Sequence, residues 1–241
     1  MSKPDRREIL SRVAAGTITP EEAASQLDAI NHPEEPESTI RKVQIVRQLG
    51  VVEVVGDPTV REAVAQGPHS ARIDGDVMVF EAEGSPEHEG FIFGLGRHFP
   101  EGKLLVRMNP ALDLELRSQA GSCRVRGVEG RIQADVQAGS ATIEGFASPL
   151  NLSVQAGSLR ATGRLDSGDS RIVCDAGSVN LNLERGSSVN IRARASMGKV
   201  ELPGGPGASG VVRAQQATVG GGSGSLTIET SMGNVKVTSE Q

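Results

Sequence analysis

The sequence contains no tryptophan and no tyrosine, and only five of its 241 residues are phenylalanine. A hydrophobic core therefore has to be filled by Val, Leu, Ile and Ala, which suits regular, closely spaced backbone layers. Aromatic platforms for base stacking are scarce, and the formal net charge is −5. Because nucleic-acid binding usually needs clustered Lys and Arg, often with aromatic side chains, we expect no nucleic-acid partner.

Long apolar runs and abundant cysteines are also missing. There is no run of about 20 apolar residues, so we expect no transmembrane segment. The opening "MSKPDRREIL" is charged and lacks the apolar stretch of a secretory signal, which predicts a cytoplasmic protein and leaves peripheral association with the cell envelope open. Cys123 and Cys174 are too few for a disulfide framework, which favours two small core residues on strands.

No grouping of chemically active residues stands out. His32, His69, His88 and His98 are scattered, and their spacing fits no common metal-binding motif. We find no Ser/His/Asp or Cys/His arrangement, and no glycine-rich loop that leads into a lysine-bearing helix. The sequence therefore predicts no catalytic residue, no metal site, no cofactor and no small-molecule ligand. We expect a protein that is not an enzyme.

Glycine, in contrast, is abundant and regularly placed. The tetrapeptide Gln-Ala-Gly-Ser occurs three times, and its glycines, Gly121, Gly139 and Gly157, are 18 residues apart. The spacing then lengthens, and Ser-Met-Gly takes the place of the tetrapeptide near the C-terminus. We predict that a set of structural turn glycines marks the repeat: Gly121, Gly139, Gly157, Gly177, Gly198 and Gly233.

Apolar residues alternate with polar ones on both sides of these glycines. Leu114 and Leu116 precede Gly121, for example, and Cys123 and Val125 follow it. Period-two alternation indicates strands with one buried face, and a repeat of about 20 residues is typical of a solenoid. We predict a mainly β protein: a β-solenoid or β-helix-like stack with two or three short strands per coil of about 18–21 residues. An antiparallel meander, with the glycines in hairpin turns, is the alternative.

Composition changes along the chain predict four regions. Residues 1–30 form an α-helical hairpin, 31–38 a linker rich in Pro and Glu, 39–110 a β lead-in or cap, and 111–241 the β-repeat solenoid. A cap is expected because the end of a solenoid exposes unpaired strand edges.

The helical hairpin is short and has an apolar side. Thr19 and Glu22 form a capping box at the start of the second helix. Two helices of this length bury little apolar surface against each other alone. We therefore predict contact with a protein partner or self-association, with packing on the chain's own β domain as the alternative. The predicted partner face consists of Ile9, Leu10, Val13, Leu27 and Ile30.

The stretch "LELRSQAGSCRVRGVEGRIQADVQAGSATIEGF" resembles the bacterial putative-adhesin β-strand repeat family of unknown function, which includes LiaX-like proteins. The head "REILSRVAAGTITPEEAASQLDAI" resembles the short, SHOCT-like helical module joined to it. The resemblance implies a β-solenoid or β-roll without known enzymatic activity. In some members it also implies a link to cell-envelope stress signalling.

Together these features predict a non-enzymatic binding or scaffold protein, linked to the envelope stress response or to adhesion-like interactions, whose helical head contacts another protein. A self-assembling structural β-helix polymer is the alternative. Stacking in register would place Arg124, Thr142 and Arg160 in one outward row, because they too are 18 residues apart. We expect any binding function of the repeat on such outward residues.

Overall fold

The computed structural model describes residues 40–82, 103–204 and 208–240, together with the isolated positions 15 and 19; for residues 208–213 it describes the backbone alone. The chain divides into two compact units, Met1–Thr39 and Ile40–Gln241. The predicted helical hairpin and its partner face, Ile9, Leu10, Val13, Leu27 and Ile30, lie outside the described residues.

Every regular element among the described residues is a strand, so the prediction of a mainly β protein is confirmed. The strands belong to one 12-stranded sheet. In chain order they are β1 (Lys42–Gly56), β2 (Ala63–Gln66), β3 (Ser70–Asp74), β4 (Val77–Ala82), β5 (Lys103–Met108), β6 (Asp113–Arg126), β7 (Ile132–Phe146), β8 (Leu150–Gly163), β9 (Asp169–Leu183), β10 (Val189–Glu201), β11 (Ala208–Val219) and β12 (Gly224–Ser239).

The repeat strands are longer than the sequence predicts. The two short strands expected on either side of Gly121 form one strand, β6, and the glycine lies inside it. Strands β6, β7, β8 and β9 pair in parallel with their immediate neighbours, with each glycine opposite the next. The antiparallel alternative is therefore wrong for this region, and Ala-Gly-Ser is not a hairpin turn.

The pairing requires each long strand to bend. A straight strand of 14 residues, the length of β6, would extend about 46 Å. The link 127–131 reaches at most about 18 Å, yet it returns the chain to Ile132, which pairs with Leu114 near the start of β6. The second half of β6 therefore has to run back towards the first. We call the parts before and after the central glycine the first and second segments.

Burial shows where the bend lies. The last buried residue before the glycine and the first one after it are five positions apart, as with Val136 and Ala141 in β7 or Val154 and Leu159 in β8. In a straight strand an odd spacing would place these side chains on opposite faces. Both nevertheless belong to the same hydrophobic cluster. The bend at the glycine thus lets both segments bury their apolar residues in one core.

The central glycines form a column in which neighbouring backbones nearly touch. Their φ angles lie between 111° and 148°, a range that L side chains rarely adopt. From Gly121 onward, an added Cβ would lie 1.7–1.9 Å from the carbonyl oxygen of the neighbouring glycine. In sheet order the column is Gly50, Gly121, Gly139, Gly157, Gly177, Gly233 and Gly198. Gly50 was not among the turn glycines predicted from the sequence, because "RQLGV" does not resemble the repeated tetrapeptide.

The strands do not all stack in chain order. The last strand, β12, lies between β9 and β10 and pairs with both in parallel, while β11 pairs antiparallel with the far side of β10. The link 220–223 holds this crossing: Asn190 Nδ2 donates to the Gly222 carbonyl at 2.8 Å, and Ser223 Oγ donates to the Asp166 carbonyl at 2.7 Å. The expectation that each repeat stacks on the next one along the chain is therefore wrong after β9.

The strands before β6 form one end of the sheet. β1 pairs with β6 along its whole length, whereas β4 pairs with the first segment of β1 and β5 with the second. The short strands β3 and β2 add to β4 and β5. β4 ends at Ala82, opposite Arg47, and β5 begins at Lys103, opposite Val51. β4 and β5 therefore pair with β1 on opposite sides of Gly50, the central glycine of that strand.

Gly157→Ala tests the close approach in the glycine column. We expect it to lower the free energy of unfolding by about 3 kcal/mol or more, because φ is +145° and the new Cβ would meet the Gly139 carbonyl oxygen. Gly75→Ala is the matched control: φ is +61° with nothing within 4 Å, so we expect a cost of about 1 kcal/mol. Urea unfolding of both variants provides the measurement. If both variants lost the same free energy of unfolding, the close backbone approach in the glycine column would add nothing to the cost of a side chain there.

Candidate functional site

The outward side chains of the second segments line up across the sheet. On β6, β7, β8, β9 and β12, the residues three positions after the glycine pair, strand by strand, in register. This places Arg124, Thr142 and Arg160 in one row, as their 18-residue spacing predicts. The row continues beyond the strict repeat, which the sequence spacing could not show. We call it the basic row: Arg124, Thr142, Arg160, Asn180 and Lys236.

Positive charge occurs on every second strand of the basic row. Arg124, Arg160 and Lys236 are exposed, whereas Thr142 and Asn180 between them are half-buried. Neighbouring strands lie about 4.8 Å apart, so successive cations start from backbone positions about 9.6 Å apart. None of the ion pairs among the described residues includes these three cations. Arg124 and Lys236 interact with the carboxylates of Glu53 and Glu201 through their charge but form no ion pair with them. All three exposed cations can therefore contact an anion from outside.

The two rows beside the basic row are mainly neutral and polar. The row nearer the glycines consists of Ser122, Ser140, Ser158, Ser178 and Asn234. The row on the other side consists of Arg126, Glu144, Thr162, Asn182 and Thr238. Arg126 and Glu144 form an ion pair at 3.1 Å, so their charges largely offset each other. The face therefore offers hydroxyl and amide groups around three cations.

An acidic residue lies at each end of the basic row. Both carboxylates form ion pairs with cations that do not belong to the row. Glu53 of β1 pairs with Arg124 in register and accepts from Lys103 at 2.5 Å and from Arg126 at 3.2 Å. The Lys103 hydrogen bond, with the charges of Lys103, Arg126 and Arg124, lowers the pKa of Glu53. Glu201 of β10 is opposite Lys236 and bonded to Lys199, whose hydrogen bond lowers its pKa. The basic row is thus bounded by ionised carboxylates.

A shallow hollow lies on this face between Arg160 and Lys236. Its volume is about 300 Å³. Asn180 and Asn182 form its middle, and Thr238 Oγ1 donates to Asn182 Oδ1 at 2.8 Å. The hollow exists because strand β9 presents two short amides between the longer cationic side chains. It is open and polar, which suits part of an extended ligand better than an enclosed small molecule.

The outward side of the first segments has a different charge pattern. Glu115 is bonded to Lys42 at 2.9 Å and to Arg117 at 2.6 Å, and Arg171 is bonded to Glu229 at 2.6 Å. Acidic and basic residues therefore alternate and pair with each other there. Two exposed cations of this side, Arg192 and Arg194 on β10, belong to no ion pair among the described residues.

The residues that could support catalysis are not assembled in the described part of the chain. No group of three or more His, Cys, Asp or Glu could hold a metal ion there. His69 is exposed and its Nδ1 lies 2.8 Å from the Gly67 carbonyl oxygen. The other histidines, His32, His88 and His98, lie outside the described residues.

Both cysteines are buried in the core. Cys123 is 3% exposed and Cys174 is 0% exposed. Burial raises the pKa of both thiols, so both are protonated at neutral pH. Because the thiolate is the reactive form, neither is positioned to act as a nucleophile.

The comparisons with known proteins give one structural likeness. No protein-family model matches the sequence, and no curated protein matches it. The structure is similar to a crystal structure described as a "putative cell adhesion protein" from Clostridium sporogenes, with 13% sequence identity and a TM-score of 0.44. The alignment covers 85% of this chain and 95% of that chain. Within the described residues, no helix is long and apolar enough to cross a bilayer.

The buried cysteines give a direct test of the core. A thiol reagent such as dithiobis-nitrobenzoate at pH 8 should leave both cysteines of the native protein unmodified over minutes. It should modify both at once in denaturant, because unfolding removes the burial that protects them. Absorbance at a fixed reagent excess follows the reaction. Rapid modification of one thiol in the native protein would contradict the placement of Cys123 and Cys174 in the core.

Proposed function

We propose that this protein is a non-enzymatic binding scaffold, and that the basic row and its two neighbouring rows are its recognition face. The observation that carries the proposal is the register: one outward position, repeated over five strands, presents three cations without ion-pair partners among the described residues. Core packing does not require this pattern, because these side chains point away from the buried cluster. A surface repeated strand by strand suits a ligand that is itself extended.

We further propose that the sheet is a flattened β-solenoid with two strand segments in each coil. The support is a comparison of lengths. The links between long strands are too short to span a straight strand, yet they return the chain to the start of the next in-register parallel pairing. The common core shared by both segments also supports it. In such a fold the second segments form one flat side, which is the recognition face.

Binding is favoured over catalysis by the chemistry of the face. Its groups are guanidinium, ammonium, hydroxyl and amide, which hold a ligand by charge and hydrogen bonds. None is a general base or nucleophile of ordinary reactivity. A role in adhesion-like contacts or in envelope stress, and a cytoplasmic location, remain proposals that rest on the sequence resemblance and on composition.

The helical head is the second part of the proposed scaffold. Its predicted apolar face, Ile9, Leu10, Val13, Leu27 and Ile30, would bind a protein partner or a second copy. The recognition face and the head would then join two ligands on one chain. The support for this part is the sequence pattern alone.

A structural polymer is the alternative, and one observation favours it. β11 is a 12-residue strand whose outer edge pairs with no other described strand. Open edges of this length can pair with another chain. The opposite end of the described sheet consists of β3 and β2, with five and four residues. Because the two ends differ so much in length, end-to-end stacking into a filament is less favoured than binding through the face.

Capture from extracts of the source cells tests the proposed function. The full chain should retain a defined set of cell components that is lost when Arg160→Gln and Lys236→Gln are combined, because two of the three cations of the basic row are removed. The matched control combines Arg192→Gln and Arg194→Gln, which removes the same charge from two other exposed arginines. Gel and mass-spectrometric comparison of the eluates gives the readout.

Two outcomes would contradict parts of the proposal. Equal capture by wild type and both double variants would mean that the basic row is not the recognition face. Deletion of residues 1–36 is a separate arm: it should release protein partners, or change the mass in light scattering, without affecting ligands of the basic row. If neither property changes on deletion, the head has no role in partner contact.

A further inference from the structure

The spacing of charge in the basic row is more regular than a general binding surface needs. Cations occupy alternate strands, and a neutral hydrogen-bonding residue occupies each strand between them: Arg124, Thr142, Arg160, Asn180, Lys236. From β6 to β12 the row spans four strand spacings, about 19 Å. A matching ligand is extended, carries several anions, and has a hydroxyl-bearing unit between successive anions.

We propose that the basic row binds an extended acidic polysaccharide that carries one anionic group on every second sugar. An extended pyranose unit has about the length of one strand spacing, so one disaccharide covers two strands. The anionic sugars would then lie over Arg124, Arg160 and Lys236, and the neutral sugars over Thr142 and Asn180. This inference rests on the proposed binding face and specifies its ligand class.

The groups around the cations suit sugar hydroxyls. One neighbouring row provides Ser140, Ser158 and Ser178, which both donate and accept hydrogen bonds. The hollow between Arg160 and Lys236 is lined by Asn180, whose amide can pair with adjacent hydroxyls, and by Asn182, whose amide already bonds to Thr238 and Glu240. A disaccharide centred on β9 would therefore meet a cation at each end and amides in the middle.

The composition of the face argues against two other ligand classes. Neutral sugars are commonly held by stacking on Trp or Tyr, and the chain contains neither. Single-stranded nucleic acid likewise relies on aromatic stacking in addition to charge. Without such platforms, affinity has to come from the charges themselves. The anionic groups of the ligand are therefore essential to binding.

The two ends of the basic row predict how long a ligand has to be for full affinity. Glu53 and Glu201 flank it, and both carboxylates are ionised through their bonds to other cations. Anionic sugars beyond these positions would be repelled. Affinity should therefore rise with chain length up to about five or six sugars, because one sugar per strand covers the five strands of the row, and then level off.

Titration of the full chain with defined oligosaccharides tests the inference. The probe is a hyaluronan hexasaccharide, which has one carboxylate per disaccharide. The comparison ligands are an oligogalacturonate of equal length, with a carboxylate on every sugar, a neutral maltohexaose, and a short single-stranded oligothymidylate. Calorimetry at low salt should show the tightest binding for the hyaluronan hexasaccharide, and added salt should weaken it because exposed charges are screened.

The same two double variants identify the site. Arg160→Gln with Lys236→Gln should weaken hexasaccharide binding about tenfold or more, as expected for two exposed charge contacts. Arg192→Gln with Arg194→Gln should leave binding unchanged. All four side chains are exposed, so we expect urea midpoints near that of the wild type. If a double variant unfolds, the single changes Lys236→Gln and Arg192→Gln replace it.

Other results would overturn the inference in distinguishable ways. Equal or tighter binding of the oligogalacturonate would refute the spacing argument, and tighter binding of the oligothymidylate would assign the row to nucleic acid. Equal losses in both double variants would place the ligand elsewhere. If no oligosaccharide binds while capture from cell extracts still depends on Arg160 and Lys236, the ligand class is wrong and the proposed binding face stands.

Discussion

The close backbone approach in the glycine column is the constraint on which the rest of the structure depends. From Gly121 onward, a Cβ added at each central glycine would lie within 2 Å of the carbonyl oxygen of the neighbouring glycine. A side chain is thus excluded at one position in each of these strands, and that position fixes their register against one another. A slip by one residue would bring a side chain into the column and turn the apolar residues outward.

The recognition face follows from this register. Once the glycines are aligned, residues at equal distance from them are aligned too, whatever the length of the links between strands. The links vary, so Lys236 joins the basic row although it is far from the 18-residue repeat. The structure thus separates two roles. Glycines and buried apolar residues determine the stack, and the outward positions can vary in charge without changing it.

Part of this could be predicted from the sequence. Period-two alternation and the recurrence of Gln-Ala-Gly-Ser indicate a mainly β repeat, because both are local patterns. The pairing partners of β12 could not be predicted, since the open edges of β9, β10 and β11 offer nearly the same backbone groups and no local signal distinguishes them. Gly50 was missed for a related reason: its neighbours, Leu49 and Val51, differ from the repeat, and only pairing with β6 reveals its place. Of the basic row, the sequence predicted only Arg124, Thr142 and Arg160, because the 18-residue spacing is constant over these three positions.

Cross-linking of introduced cysteines tests the central claim, in-register parallel stacking across the glycine column, most directly. Ser140 and Ser158 are opposite each other on β7 and β8, with Cα atoms about 4.8 Å apart, a separation that a disulfide can span. Ser140 and Ser178 are two strands apart, about 9.6 Å, which a disulfide cannot span without backbone movement. Under mild oxidation we expect an intramolecular disulfide in Ser140→Cys with Ser158→Cys, and none in Ser140→Cys with Ser178→Cys. A disulfide in the second pair and not in the first would contradict the account.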